Sequence, residues 1–326
     1  MIDRFNRNIE YARISLTDRC NLRCQYCMPE AGVTKMRHSD ILTLEEILTV
    51  VKILAALGIR KVRLTGGEPL LRKGIVKLIG DIKSVDGIEQ VMLTTNGVLL
   101  DSMAEDLINT GLDGINLSLD TLDADIFNSI TRRNLFVNVK GGLDKILNSG
   151  VQLKINCVPI AGLNDSDILK IVTLAKSYNI KVRFIELMPI GEAVHFKGIA
   201  TSALKSLIES QFGSLIPHSE LRISNYPGPA TYFSLSGFKG QIGFIDALEH
   251  KYCASCNRVR LTSDGFLKLC LNSNAGLDVK ALLRSGADER SLSESIQQAI
   301  YNKPKEHHFN AELGVTKSSN MYQIGG

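Results

Sequence analysis

The stretch Tyr11-Ala-Arg-Ile-Ser-Leu-Thr17 leads, after two residues, into Cys20-Asn-Leu-Arg-Cys24-Gln-Tyr-Cys27-Met-Pro29. The first segment alternates apolar and polar side chains with the period of a β-strand. The second places three cysteines three and then two residues apart. Three thiolates so spaced can close round one face of a cubane iron-sulfur cluster. A cluster kept only for electron transfer usually takes four cysteines, so three leave one iron open to an exchangeable ligand. A strand that delivers such a loop from its C-terminal end is how α/β barrels present their working groups.

The same strand-then-helix rhythm recurs up to about residue 187. Strands are predicted at 11–17, 61–65, 90–94, 114–120, 151–158 and 181–188, with amphipathic helical stretches between them. In 43–57, Leu44, Ile47, Leu48, Val51 and Leu54 recur at helical spacing. Gly58, Gly111 and Gly150 follow the last apolar position, where helices end. Six βα units in succession imply a parallel sheet, open or curled into part of a barrel.

A parallel strand covered on both faces should read almost continuously apolar, and these do not. Arg13, Ser15 and Thr17 share one face against Ala12, Ile14 and Leu16. Lys61, Arg63 and Thr65 oppose Val62 and Leu64; Asn116, Ser118 and Asp120 oppose Ile115, Leu117 and Leu119. Gln152, Lys154 and Asn156 oppose Leu153, Ile155 and Cys157. The expectation is a wet, ligand-holding lumen lined by Arg13, Lys61, Arg63 and Lys154, since a packed interior would not tolerate these groups without partners. A sheet face bare to solvent is the alternative. Cys157 falls on the apolar parity and reads as a small core residue.

Loops at the strand ends carry Thr65-Gly-Gly-Glu-Pro69, Thr95-Asn-Gly97 and Ser118-Leu-Asp120. Gly66-Gly67 would let backbone approach a ligand closely. Regular alternation fades after Met188; a helix is predicted at 202–212, a loop at Tyr226-Pro-Gly-Pro229 and a strand at 240–245. Then comes Cys253-Ala-Ser-Cys256-Asn-Arg-Val-Arg260, with Cys270 downstream. These are again three thiolates without a fourth, although a zinc site completed by His250 stays open. Arg258 and Arg260 share a face if this segment is extended. His307 and His308 read as solvated surface. The end, Asn320-Met-Tyr-Gln-Ile-Gly-Gly326, either frays or threads a space too narrow for a side chain.

Charged residues make up 22% and hydrophobic ones 44% of 326 residues, and the net charge is +4. No apolar run reaches membrane-spanning length, and the first residues do not read as a signal peptide. These features lead to an expectation of a cytoplasmic protein with no membrane partner and no nucleic-acid partner, whose basic groups can still converge on a small polyanion. Seven cysteines, six of them in two sets of three, argue for reduced metal ligands over disulfides.

CxxxCxxC with an aromatic before the third cysteine resembles the signature of the radical S-adenosylmethionine (SAM) enzymes. With the second cysteine set, the GGEP turn, Val182-Arg-Phe-Ile-Glu-Leu-Met188 and the Gly-Gly end, the chain resembles the GTP 3′,8-cyclases of molybdenum-cofactor biosynthesis along its whole length. Leu22 departs from a common phenylalanine, and Cys157 has no counterpart in the pattern. The resemblance implies an incomplete (β/α)6 barrel of the TIM type over residues 1–190, closed by a C-terminal region, 191–326, with a second cluster. It implies two 4Fe-4S clusters, on Cys20, Cys24 and Cys27 and on Cys253, Cys256 and Cys270. SAM would lie against Tyr26, Gly67, Ser118 and Met188. GTP would meet Arg13, Arg63, Thr94, Lys154, Arg258 and Arg260, with Lys61 and Arg183 nearby; the catalytic set is the first three cysteines with Arg258 and Arg260. The implied lyase reaction abstracts the ribose 3′ hydrogen and joins C3′ to guanine C8. A cyclic pyranopterin monophosphate synthase would use the product and an electron donor would feed the cluster, while the oligomeric state is left open, a homodimer included. Another radical SAM enzyme with an auxiliary cluster, such as a peptide-modifying one, would share the barrel but not the basic lumen. An electron carrier or zinc-binding module would explain the cysteines but not the missing fourth ligands.

Overall fold

The alternation read over residues 11–187 folds as successive strand and helix units. A computed structural model describes the chain except for residues 34–35, 219–227, 247, 249–252 and 307–326. In order come β1 (Tyr11–Ser15), α1 (Leu44–Ala56), β2 (Lys61–Thr65), α2 (Ile75–Lys83), β3 (Gln90–Thr95) and α3 (Leu100–Asn109). They are followed by β4 (Gly114–Ser118), α4 (Ala124–Thr131), α5 (Phe136–Leu147), β5 (Gln152–Cys157), α6 (Ile168–Ser177) and β6 (Lys181–Ile185). Each strand from β1 to β6 pairs parallel with the next.

Local chemistry sets these elements. Thr43 caps α1: its hydroxyl accepts from Glu46 N (3.1 Å) while the Glu46 carboxylate accepts from Thr43 N (2.7 Å). Ile47, Val51 and Leu54 from this helix are buried together with Val62, Leu64, Ile115, Leu117, Leu153 and Ile155. These strand residues are the apolar parity of the sheet, so one face packs on helices and the polar parity turns to the other side.

The C-terminal residues form α7 (Thr201–Phe212), β7 (Ile216–Pro217), β8 (Thr231–Ser234), β9 (Gln241–Ile245), β10 (Arg258–Leu261), β11 (Phe266–Lys268) and β12 (Gly276–Asp278). The helices α8 (Val279–Arg284) and α9 (Glu289–Tyr301) follow. Among the described residues all strands belong to one twelve-stranded sheet in the order β12-β11-β10-β1-β2-β3-β4-β5-β6-β9-β8-β7. β9 adds parallel to β6 and β10 adds parallel to β1, so the C-terminal region extends the partial barrel at both edges. Among the described residues no strand pairing joins the outer strands, and the barrel is not closed by hydrogen bonds. Aromatic packing holds the β6–β9 seam: Phe184 and Phe244 lie 6.0 Å apart, and Phe233 meets Phe244 edge-on at 5.7 Å.

Four strands stop short of the expected ends, leaving Thr17, Asp120, Val158 and Met188 outside them. Beyond Ser15 the backbone serves the neighbouring turn instead, as Thr17 O accepts from Gly67 N (2.7 Å). The predicted loop at Tyr226, the possible ligand His250, the His307-His308 pair and the Gly-Gly end lie mostly or wholly outside the described residues; of these only Gly228 and Pro229 are described.

Cys157 is fully buried, 3.8 Å from Asp120 O and 3.7 Å from Asn164 Nδ2. Cys157→Ala should lower unfolding free energy by about 1–2 kcal/mol, a small core truncation, in urea denaturation. Its iron content should match the parent, and loss of cluster iron would contradict a packing role.

Candidate active site

The polar parity lines a cavity of about 1070 Å³. Strand register decides which side chains meet there. Arg260 pairs with Arg13 and Arg13 with Arg63, while in the next row Arg258 pairs with Tyr11 and Tyr11 with Lys61. On the far side Lys154 pairs with Lys181 and Asn156 with Arg183. Gly243 pairs with Arg183, and a Cβ there would meet Tyr232 at 2.8 Å and Arg183 at 3.1 Å, so glycine makes room for this arginine.

Every residue expected to meet SAM or GTP lines the cavity: Tyr26, Gly67, Ser118 and Met188, and Arg13, Lys61, Arg63, Thr94, Lys154, Arg183, Arg258 and Arg260. Ser15 and Thr17, of the same parity as Arg13, are not among the lining residues. The buried atoms Arg63 Nε, Thr94 Oγ1, Asn116 Oδ1 and Asn156 Oδ1 have no hydrogen-bond partner among the described residues. Buried polar atoms are nearly always satisfied, so four at one cavity mark it as built for a polar ligand.

Crowding of like charges shows in the ionisation of these groups. Burial pushes the Lys154 ammonium down to about 6, and Arg183, Arg63 and Lys61 add to the fall. Lys61 falls to about 8, again chiefly through burial. Burial acts to raise the Tyr11 phenol, yet Arg63, Arg13 and Arg258 outweigh it and bring it to about 8. Lys61 Nζ, Arg63 Cζ and Arg258 Cζ lie 5.7, 5.7 and 5.9 Å from the Tyr11 ring, within cation–π range.

The cysteine loop after β1 enters the same cavity through Cys20, Cys24 and Cys27. Burial pushes the Cys20 thiol up to about 11 and the Cys24 thiol well above its usual range, with Cys27 and Cys20 adding to the latter. Three half-buried thiols that raise one another cannot all ionise alone, whereas iron ions compensate three thiolates, so the donor set fits a cluster. Cys20 Sγ accepts from Leu22 N (3.4 Å) and Asn96 Nδ2 (3.6 Å), the kind of N–H···S contact that tunes cluster potential.

Around this loop lie residues that sequence reading passed over. The buried Glu68 carboxylate accepts from Leu70 N (3.0 Å), Thr95 Oγ1 (2.8 Å) and Asn96 N (2.7 Å), and so aims Asn96 at Cys20. Tyr26 OH donates to Asp120 Oδ2 at 2.5 Å, and Val158 N donates to the other oxygen at 2.9 Å. The signals were a carboxylate straight after a glycine pair and a polar-parity aspartate at a strand end. The glycine pair is also explained differently from the sequence expectation. A Cβ on Gly66 would lie 2.7 Å from Thr17 O and one on Gly67 2.3 Å from Arg19 O. Besides lining the cavity, these glycines let the turn after β2 press on the backbone leading into the cysteine loop.

The second cysteines sit in an opposite field. Burial raises the Cys256 thiol, but Lys303, Arg258 and Arg7 outweigh it and hold it below its usual range. Cys253, Cys256 and Cys270 are half-buried and stand behind the lining, which here includes Asn257, Arg258, Arg260 and Leu271. Arg258 and Arg260 do share a face of β10, as the extended reading expected.

Gly67→Ala should therefore cost about 3 kcal/mol, the upper end for overpacking, and lose iron from the first loop selectively. Iron per chain and urea denaturation check it; parental values for both would show that the contact relaxes freely.

Known proteins match this architecture. The family model of the Radical SAM superfamily matches residues 14–175, and that of Molybdenum Cofactor Synthesis C matches residues 180–309. A GTP 3′,8-cyclase of Clostridium perfringens (strain SM101 / Type A) is 44% identical over 326 residues, all of both chains. One from Thermodesulfovibrio yellowstonii is 48% identical over 309 residues, 94% of this chain and 95% of the relative. Among solved structures, Streptococcus suis SuiB bound to precursor peptide SuiA superposes with a TM-score of 0.62 at 14% identity, covering 91% of this chain and 66% of that one. That likeness is one of fold alone. With identity of 44 to 48% sustained across nearly the full length of both chains, on a partial barrel that brings the first cysteine loop and a basic cavity together, this chain belongs to the GTP 3′,8-cyclase family.

Proposed function

We propose that the cavity holds GTP with its triphosphate against Arg13, Lys61, Arg63, Lys154, Arg183, Arg258 and Arg260. The enzyme converts GTP to (8S)-3′,8-cyclo-7,8-dihydroguanosine 5′-triphosphate, the first step of molybdenum-cofactor biosynthesis. When bound, the cluster on Cys20, Cys24 and Cys27 together with SAM supplies a 5′-deoxyadenosyl radical able to take the ribose 3′ hydrogen. Every other contribution comes from the chain. Tyr26, Gly67, Ser118 and Met188 form the wall for SAM, with Tyr26 fixed by Asp120. Cys253, Cys256 and Cys270 would hold the second 4Fe-4S cluster, on the side of the cavity lined by Asn257, Arg258, Arg260 and Leu271. Arg258 and Arg260 orient the nucleotide, and Thr94, Asn116 and Asn156 offer atoms with no partner among the described residues to its polar edges. Residues up to 190 carry SAM, and those from 191 onward complete the substrate side.

The observation that carries this reading is the register that lays Arg260, Arg13 and Arg63 side by side. Like charges on neighbouring strands repel, and a triphosphate reverses the sign of that interaction while matching the planar fork of arginine. An external donor reduces the first cluster, and a cyclic pyranopterin monophosphate synthase consumes the product in the cytoplasm. Among the described residues no helix is long and apolar enough to cross a membrane.

Anaerobic incubation of the reconstituted enzyme with reductant, SAM and GTP should yield a new species isomeric with GTP, matched by 5′-deoxyadenosine and separable by chromatography. Deoxyadenosine formation at saturating GTP with no new nucleotide would contradict the reading. The triphosphate should also restore the proton that burial, with the neighbouring cations, drives off Lys154. Because the empty site titrates near 6 and an anion raises that value, binding at pH 7 takes up protons and weakens as pH rises further. Calorimetry in buffers of different ionisation enthalpy should show less proton uptake in Lys154→Met than in the parent; equal uptake would remove Lys154 from the triphosphate site.

A further inference from the structure

Behind the second cysteine set lie two cations that the proposed reaction does not use. Arg7 is 6% exposed and Lys303 2%. Arg7 belongs to the N-terminal arm and is ion-paired with Asp3 at 2.6 Å. Its Nη1 donates to the carbonyls of Cys253 (3.1 Å) and Lys305 (2.9 Å), and its Nη2 to those of Lys303 (3.4 Å) and Pro304 (2.7 Å). Lys303, just past α9, donates from Nζ to the carbonyl of Leu269, the residue before Cys270. One cation thus grips the backbone of the first cysteine of the set, and the other grips the approach to the last.

A buried ammonium is costly unless a negative charge compensates it. Burial pulls the Lys303 ammonium below its usual value; Cys256 and Cys270 act to raise it, and Arg7 and Arg258 to lower it further. The Asp3 carboxylate is already committed to Arg7. The negative charge that a cluster on these cysteines would bring lies where it would compensate Lys303, whose Nζ donates to the residue before Cys270. Neither Arg7 nor Lys303 lines the cavity, whereas Asn257, Arg258 and Leu271 do. The two cations approach the cysteines from the protein side and leave the cavity side to the substrate.

We propose that Lys303, steadied by Arg7, is a positioning residue that raises the reduction potential of the cluster on Cys253, Cys256 and Cys270. The inference rests on the reading of these cysteines as cluster ligands. A fixed positive charge beside a cluster favours the form with one more electron. It also offsets, from the opposite side, the negative charge that a triphosphate brings to the cavity. The brace is assembled from the two ends of the chain, so it forms only when the N-terminal arm and the segment after α9 have docked.

The test is a redox titration followed by electron paramagnetic resonance in a Cys24→Ala background, which leaves the second cluster alone to be read. Parent-background protein should carry about four irons per chain, and Lys303→Gln, which keeps an N–H donor but no charge, should shift the midpoint to lower potential. Lys303→Arg should return it to the parental value. Full iron with an unshifted midpoint in Lys303→Gln overturns the proposal. If Lys303→Gln fails to retain iron, Lys303→Arg decides: retention at the parental midpoint upholds a role for the charge, and loss in both variants overturns it. Absence of any cluster in the Cys24→Ala protein would overturn the ligand reading itself, a result distinct from an unshifted midpoint.

Discussion

Parallel pairing of β10 with β1, and of β1 with β2, puts Arg260, Arg13 and Arg63 in one row and Arg258, Tyr11 and Lys61 in the next. Unit charges 4 Å apart repel by about 1 kcal/mol in water and about 4 kcal/mol at the effective dielectric near a protein surface. Two such rows facing one cavity are a standing cost, offset by the apolar parity of the same strands, where Ala12, Ile14, Val62, Leu64, Val259 and Leu261 are buried. Slipping a strand by one residue would send its cations into the helix layer. The core therefore fixes the register, and the register fixes the electrostatics.

On this basis the two cysteine sets occupy unlike surroundings. Around Cys20 and Cys24 burial dominates and raises the thiols, and the loop is immobilised by contacts of its neighbours. The Gly66-Gly67 turn presses on its lead-in, Glu68 aims Asn96 at Cys20, and Asp120 holds Tyr26. Around Cys256 cations dominate. A rigid loop suits chemistry in which one hydrogen among several must be selected, since small displacements of the reacting groups cost large factors in rate.

Much of this was legible in the residues. Parity within the strands named the lumen and its cations, because a two-residue period leaves each side chain little choice of face. The cysteine spacings named two sets of three thiols for the same local reason. What escaped was non-local. Neither Gln241-Ile-Gly-Phe-Ile245 nor Arg258-Val-Arg-Leu261 says which strand it will join, and one goes to β6 while the other crosses to β1. The purpose of Gly66 and Gly67 depends on a carbonyl of another loop, and that of Gly243 on an arginine of the neighbouring strand. Nothing local in the sequence marks Lys303, yet it is among the largest fully buried side chains.

The central claim is that the paired arginines of β10 aim the substrate, while the first cysteine loop generates the radical whether or not the nucleotide is well placed. Transfer of deuterium from 3′-deuterated GTP into 5′-deoxyadenosine, compared between parent and Arg258→Ala with nucleotide at saturation, tests this most directly. Aiming by Arg258 requires that the variant still cleave SAM but carry far less deuterium into the deoxyadenosine it forms. Deuterium transfer at the parental level would contradict it.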